Sequence, residues 1–324
     1  MVFLMTINKN KNKNKNKNKN KNIIKEKAIT YEIQIIKIFK PNKMQKKLIN
    51  FLNKIILESK YRKNYNFFYH TQRYTLKYIL THIICFLHEL ASWRNLGKKW
   101  NNIYKHYIKL NKSGFLENSY RKLLEKYLKR TNNRTLKFTS CDVTIIVNNN
   151  GIDCKKRSNY AKNKNCTKLL TVIDKNKIPI AFFFFAGNMN DIKCLNLTLD
   201  ELLKQYGKYI KYFLADAGFH SNYIYELIEK YNIKHLIPKN MRNNKKYKKE
   251  NGEKLTYKEK IKIQFEDFTK KDKQLYKKRI KVENMYANYK NTNNRFRTRE
   301  DKYITNLQGL TYLYYAEQIL NNLK

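Results

Sequence analysis

The chain has 324 residues, 42% of them hydrophobic, enough for one large domain or two modest ones with a sizeable core. Lys and Arg number 70 against 25 Asp and Glu, a formal charge of +45 that calls for a polyanionic partner, nucleic acid first. No apolar run reaches the roughly 18–20 residues that span a bilayer, and no Gly-rich phosphate loop with a trailing Lys and Ser or Thr supports ATP use.

Met1–Ile7 is apolar but too short for a secretion signal, so an intracellular, DNA-associated protein that is not secreted is expected. The cysteines (Cys85, Cys141, Cys154, Cys166, Cys194) form no C-x-x-C pair, which fits reduced thiols and argues against a structural zinc site. Heavy use of Lys, Asn, Ile, Tyr and Phe fits an AT-rich gene, a second source for part of the charge.

Asn8–Asn22 alternates Asn and Lys with nothing apolar to bury, so residues 1–28 are expected to be a disordered tail. Slippage in an AT-rich gene explains that repeat better than a DNA-binding role. Residues 29–132 read as a small all-α domain. Met44, Leu48, Phe51, Leu52 and Ile55 recur at helical spacing, as do Tyr78, Ile79, Ile83, Phe86 and Leu87. Trp93–Gly97 closes the second of these helices, and Trp100 to Leu110 opens another; both tryptophans are expected in the core.

From 133 to 324 the texture changes. Leu136 to Val147 reads as a strand, Asn148–Gly151 as a turn, and Lys168 to Asp174 and Ile178 to Phe185 as a hairpin. Asp191 to Tyr206 follows as one amphipathic helix, Tyr209 to Leu214 as a fourth strand, and Ser221 to Tyr231 as a helix capped by Ser221. Ile233 to Ile237 is a fifth strand, Met241 to about Lys262 a basic loop, and Lys270 to Asn291 one long helix. Three antiparallel strands, then helix, strand, helix, strand, is the order of a ribonuclease H-like α/β core.

Two-metal phosphodiester chemistry needs carboxylates that converge from separate segments. Asp142 lies within the first strand, and Asp216 just past the fourth, where Gly218 lets the chain turn. At 100° per residue, Tyr276, Arg279, Glu283 and Lys290 share one helix face, with Glu283 beside an apolar strip of Val282, Tyr286 and Tyr289. A solvated Arg279–Glu283 pair would have the same spacing. Asp153, Asp174 and Asp191 are alternative carboxylates that hairpin, turn and helix-cap roles explain, and His220 beside a Gly turn is more readily structural.

Tyr276-x2-Arg279-x3-Glu283-x6-Lys290 resembles the Tyr-Arg-Glu-Lys signature of insertion-sequence transposases with an Asp-Asp-Glu (DDE) triad. Cys141–Thr144 resembles the family's first-Asp segment, Ala186–Asp191 its Gly-Asn-x-x-Asp stretch, and Leu214–Phe219 its second-Asp segment. Arg295-x-Arg297-Thr298-Arg299 is similar to its later basic tract, and Trp93–Leu96 with Trp100–Tyr104 to the helical N-terminal domain of one branch. The resemblance implies Asp142, Asp216 and Glu283 as catalytic ligands of Mg²⁺ or Mn²⁺, two ions in all. It further implies Tyr276, Arg279, Lys290, Arg295, Arg297 and Arg299 as DNA contacts, and residues 29–132 as a DNA-binding domain. The partners would be double-stranded DNA, as transposon terminal inverted repeats and target, and a second copy of the chain when bound to DNA. The reaction would be cleavage at transposon ends and strand transfer. A decayed or domesticated relative that only binds DNA is the alternative.

Overall fold

The computed structural model describes residues 41–58, 75–89, 93–147, 157–158, 164–241, 255–293 and 303–323. The Asn-Lys tail, the Asn148–Gly151 turn, Asp153, Arg295, Arg297 and Arg299 lie outside them.

The helical region contains α1 (Lys43–Glu58), α2 (Leu76–Glu89), a 3₁₀ turn (Trp93–Lys99), α3 (Trp100–Lys112) and α4 (Phe115–Arg130). Asn42 starts α1: its Oδ1 accepts from the Met44 and Gln45 N–H groups while Gln45 Oε1 accepts from Asn42 N–H, a reciprocal cap. The apolar spacing becomes burial, with Leu48, Leu52, Ile79, Ile83 and Leu87 all inside. Trp93 is buried against Phe86, ring centroids 3.8 Å apart, while Trp100 is only partly buried, with Arg94 over its ring.

The sheet is built from β1 (Phe138–Val147), β2 (Arg157–Ser158), β3 (Lys164–Ile173), β4 (Pro179–Ala186), β5 (Tyr212–Leu214) and β6 (Lys234–Leu236). Its order is β2-β3-β1-β5-β6, with β4 also paired to β3. The β1–β3 and β3–β4 pairs are antiparallel, and β1–β5 and β5–β6 are parallel. An antiparallel trio followed by two parallel strands joined through helices is the ribonuclease H-like arrangement.

Several elements differ from the periodicity reading. The segment Asp191 to Tyr206 is two helices, α5 (Asp191–Asn196) and α6 (Leu199–Tyr206). Between them the Thr198 hydroxyl donates back to the Cys194 and Leu195 carbonyls, competing with a continuous helix. Ser221 stands at the N-cap of α7 (Asn222–Glu229), but its side chain makes no capping bond. A short helix, α8 (Tyr257–Gln264), occupies the end of the expected loop, started by a Thr256–Glu259 capping box.

The long helix expected over Lys270 to Asn291 is interrupted by one 3₁₀ turn. It comprises α9 (Lys270–Tyr276), a 3₁₀ turn (Lys277–Arg279) and α10 (Ile280–Asn293). Hence Tyr276 and Arg279 precede the α-helix that carries Glu283, and a uniform 100° per residue does not apply across them. The last helix, α11 (Tyr303–Asn322), packs along α4 and α1, and His88 Nε2 on α2 lies 2.7 Å from Glu317 Oε2 on α11. One hydrophobic cluster therefore runs from the first helices through the sheet to the C-terminal helix.

Candidate active site

The central parallel pair sets the geometry. Phe138 stands opposite Tyr212 and Ser140 opposite Leu214. Asp142 and Asp216 each follow two residues later, so strand alternation puts both on one sheet face at the carboxyl end of β5. Because β5 stops at Leu214, β1 runs on past it and Asp142 has no ladder partner on β5. Asp216 begins a tight turn, Ala217–Phe219, in which its Oδ1 accepts from Gly218 N–H at 2.6 Å. A Cβ at residue 218 would lie 2.7 Å from that oxygen, so this close wrap requires glycine.

Asp142 has 19% of its side chain exposed. Its Oδ1 accepts from the Val143 N–H at 2.8 Å, and its Oδ2 lies 3.6 Å from Arg279 Nη1. Burial raises its pKa to about 7; the Val143 N–H and Arg279 pull the other way, while the charges of Asp216 and Glu283 reinforce the rise. Beneath it, the hydroxyl of fully buried Tyr286 faces the Asp142 and Leu169 carbonyl oxygens at 2.6 and 3.0 Å, tying α10 to β1 and β3.

Arg279 reaches two carboxylates. Its Nη2 donates to Glu283 Oε1 at 2.5 Å, on a glutamate 46% exposed, while Nη1 approaches Asp142. Its guanidinium lies 5.8 Å from the centroid of the Tyr276 ring, which packs edge-on against Phe265 and Phe268. Burial raises the Tyr276 phenol and lowers the Lys290 ammonium, while the charge of Asp142 raises the latter. The Arg279–Asp142 contact joins residues 137 positions apart by number, and helix periodicity gives no signal for it. The same holds for the Tyr286 hydroxyl, which the spacing assigned only to an apolar strip.

Among the described residues, no group of three His, Cys, Asp or Glu is close enough to hold an ion. Arg279 stands between Asp142 and Glu283, supplying the positive charge there. The donor set still fits a hard divalent cation. It consists of carboxylate oxygens, and buried Asp142 has one backbone N–H and a guanidinium at ion-pair distance as its compensation.

Two of the alternative carboxylates, Asp174 and Asp191, have local structural partners. Asp174 accepts from Tyr127 Oη (2.6 Å), Asn176 N (2.8 Å) and Ile178 N (2.9 Å), closing the β3–β4 turn. Asp191 pairs with buried Lys168 at 2.6 Å, and Asn190 caps α5 through the Ile192 N–H. Within that same stretch, a Cβ at Gly187 would sit 2.2 Å from Cys166 Sγ, so the Gly-Asn-x-x-Asp segment serves packing and capping. His220 packs edge-on to Tyr225, and burial lowers its pKa. Cys85, Cys141, Cys166 and Cys194 are buried, and among the described residues none forms a disulfide.

A ribonuclease H-like sheet whose central parallel strands carry one aspartate mid-strand, Asp142, and one just past a strand end, Asp216, defines the class of protein. A family model described as a transposase DDE domain matches residues 139–313, more than half of the chain. The chain belongs to the DDE transposase family. Membership implies a DNA substrate and a family chemistry that typically uses divalent metal. Searches of curated proteins and of solved structures found no match. Among the described residues, no helix is long and apolar enough to cross a membrane.

Proposed function

We propose that this chain cleaves DNA at the ends of its own transposon and joins the freed ends to target DNA. The observation that carries this reading is the convergence of Asp142 and Asp216, on adjacent parallel strands, with the Arg279–Glu283 pair delivered from late in the chain. In this reading Asp142, Asp216 and Glu283 hold two Mg²⁺ or Mn²⁺ ions. When bound, such ions activate the attacking oxygen and stabilise the leaving one.

The chain's own groups position the DNA. Arg279 and Lys290 grip phosphates beside the scissile bond, with the planar guanidinium suited to two phosphate oxygens. Tyr276, held by Phe265 and Phe268, orients Arg279 from below. Water cleaves the strand, and the freed 3′-hydroxyl then attacks a target phosphate. Arg295, Arg297 and Arg299 and the helical region 29–132 extend the grip on duplex DNA, and two copies act together so that both ends are cut. The resemblance of Tyr276, Arg279, Glu283 and Lys290 to the Tyr-Arg-Glu-Lys signature supports placing the chain in the insertion-sequence branch.

The test is incubation of the full chain with plasmid DNA carrying the inverted repeats that flank its gene, with Mg²⁺, Mn²⁺ or chelator. Metal-dependent nicks at the repeat ends and joined products are expected. Binding across a salt series, tighter to repeats than to random DNA but with no cleavage under any metal, would instead identify a relative that only binds DNA.

A further inference from the structure

At the other end of the two aspartate-bearing strands lies a site that the proposed chemistry does not use. Phe138 opens β1 and Tyr212 opens β5; their rings stack with centroids 5.1 Å apart and planes 4° from parallel. Both are half-buried. Lys278 Nζ sits 4.6 Å from the Phe138 centroid, and Lys211 Nζ sits 5.7 Å from that of Tyr212. Lys137, Lys211, Lys277 and Lys278 are all exposed, and none of them forms an ion pair among the described residues.

Alternation places Phe138, Ser140 and Asp142 on one face of β1, and Tyr212, Leu214 and Asp216 on the matching face of β5. At about 3.3 Å per residue the aromatic pair is about 13 Å from the aspartates. The 3₁₀ turn Lys277–Arg279 links the two ends: Arg279 reaches Asp142 while its neighbour Lys278 covers Phe138. Paired rings, each with a lysine over it that makes no ion pair among the described residues, supply the parts of a sequence-tolerant single-strand site: an incoming base displaces the ammonium from the ring, and the ammonium turns to a phosphate. A duplex holds its bases stacked and offers such rings no face.

We infer that Phe138, Tyr212, Lys211, Lys277 and Lys278 form a single-stranded DNA site that holds the unpaired strand next to the phosphate being cut. The placement of that phosphate rests on the reading under Proposed function; the strand binding itself does not.

The experiment uses the full chain in chelator, so nothing is cut. Binding of a fluorescent oligothymidylate of about 20 nucleotides and of a duplex of equal length is followed by anisotropy across a salt series. Lys277→Ala/Lys278→Ala is compared with Lys193→Ala/Lys230→Ala, an equal charge loss at exposed lysines elsewhere. The first pair is expected to weaken single-strand binding about tenfold more than the second and to flatten its log–log salt slope by about 1.4. Tyr212→Leu, with an unchanged melting curve, is expected to weaken single-strand binding about tenfold and leave duplex binding alone. A Lys277/Lys278 variant indistinguishable from the control pair overturns the site, as does unchanged single-strand binding in Tyr212→Leu. Equal losses on both DNAs overturn the single-strand assignment. If Asp216→Asn cleaves normally while the patch variants still lose binding, the catalytic reading fails and this site stands.

Discussion

Asp174 and Asp142 are both largely buried carboxylates of the same sheet, and burial raises the pKa of each. They differ in what surrounds them. Asp174 is 1% exposed and receives the Tyr127 hydroxyl and two backbone N–H groups, so its buried charge is dispersed over a closed set of donors. Asp142 receives one backbone N–H and an Arg279 nitrogen at 3.6 Å, with two further carboxylates adding to its repulsion. A closed donor set rigidifies a turn, whereas an open one leaves a buried charge in need of a cation. The two carboxylates differ by their partners, and neither burial nor the direction of the pKa shift tells them apart.

The comparison breaks most sharply at the strand ends. Asp216→Asn keeps the Oδ1 that accepts from Gly218 N–H but removes the charge to which the proposed function gives metal binding. Metal-dependent cleavage is expected to fall to background while melting temperature and DNA affinity stay put. Cleavage near the wild-type rate would return Asp216 to the structural group.

Arg279→Ala and Lys290→Ala come next. Each is expected to slow end cleavage about a hundredfold through a scissile phosphate misplaced by about 1 Å. Stability is expected to change by only about 1 kcal/mol: Glu283 is 46% exposed, although Arg279, 19% exposed, also gives up its approach to Asp142. Full activity in both variants, measured on one transposon-end substrate, would remove the signature segment from the site.

Asp174→Ala should do the reverse. It strands Tyr127 Oη and the Asn176 and Ile178 N–H groups, at a cost of about 3 kcal/mol. Thermal melting should show the loss, and cleavage below the new transition should be unchanged. A folded variant that melts normally but cannot cleave would mean that Asp174 belongs to the chemistry.

The smallest effect concerns pH. With its folded-state pKa at about 7, Asp142 keeps a proton that the unfolded chain has already released. Its contribution to stability is present at acid pH and declines as pH rises through that value. Asp142→Asn carries no such charge. In chelator it should melt above wild type at pH 8, by on the order of 1 kcal/mol, with the gap closing towards pH 5. Divalent metal should narrow the gap at pH 8 by stabilising wild type. A gap that is constant with pH would show that Asp142 stays ionised throughout.

Much of the fold was legible because burial imposes periodicity. Buried helices show spacings of three and four, and α1 to α3 fall close to where Leu48, Leu52, Ile79, Ile83 and Ile103 put them. The β1, β3 and β4 segments are apolar enough to be found, although β5 and β6 are shorter than expected. Asp216 stands out because a strand end and a following glycine are local features, whereas Asp142, midway along β1, is marked by the resemblance of Cys141–Thr144 to the family's first-Asp segment. The split of α5 from α6 and the break at Lys277–Arg279 were hidden, since a hydroxyl bonded to its own backbone or one tight turn leaves the apolar spacing intact.

By itself, then, the amino-acid sequence determined the elements, the basic character and the local signatures around Asp142, Asp216 and Glu283. Only the tertiary structure decided which groups meet. The parallel register of β1 and β5 pairs Ser140 with Leu214, two residues before each aspartate, and packing of the segment around Lys277–Arg279 brings Arg279 within 3.6 Å of Asp142 and Lys278 over Phe138. It also decided that Asp191 pairs with Lys168, and that Tyr286 ties α10 to the strand bearing Asp142. Spacing along the chain governs neighbours within a few residues, because helix and strand repeats are local. Contacts between distant segments are fixed by how the elements pack, and burial patterns constrain that packing without specifying its partners.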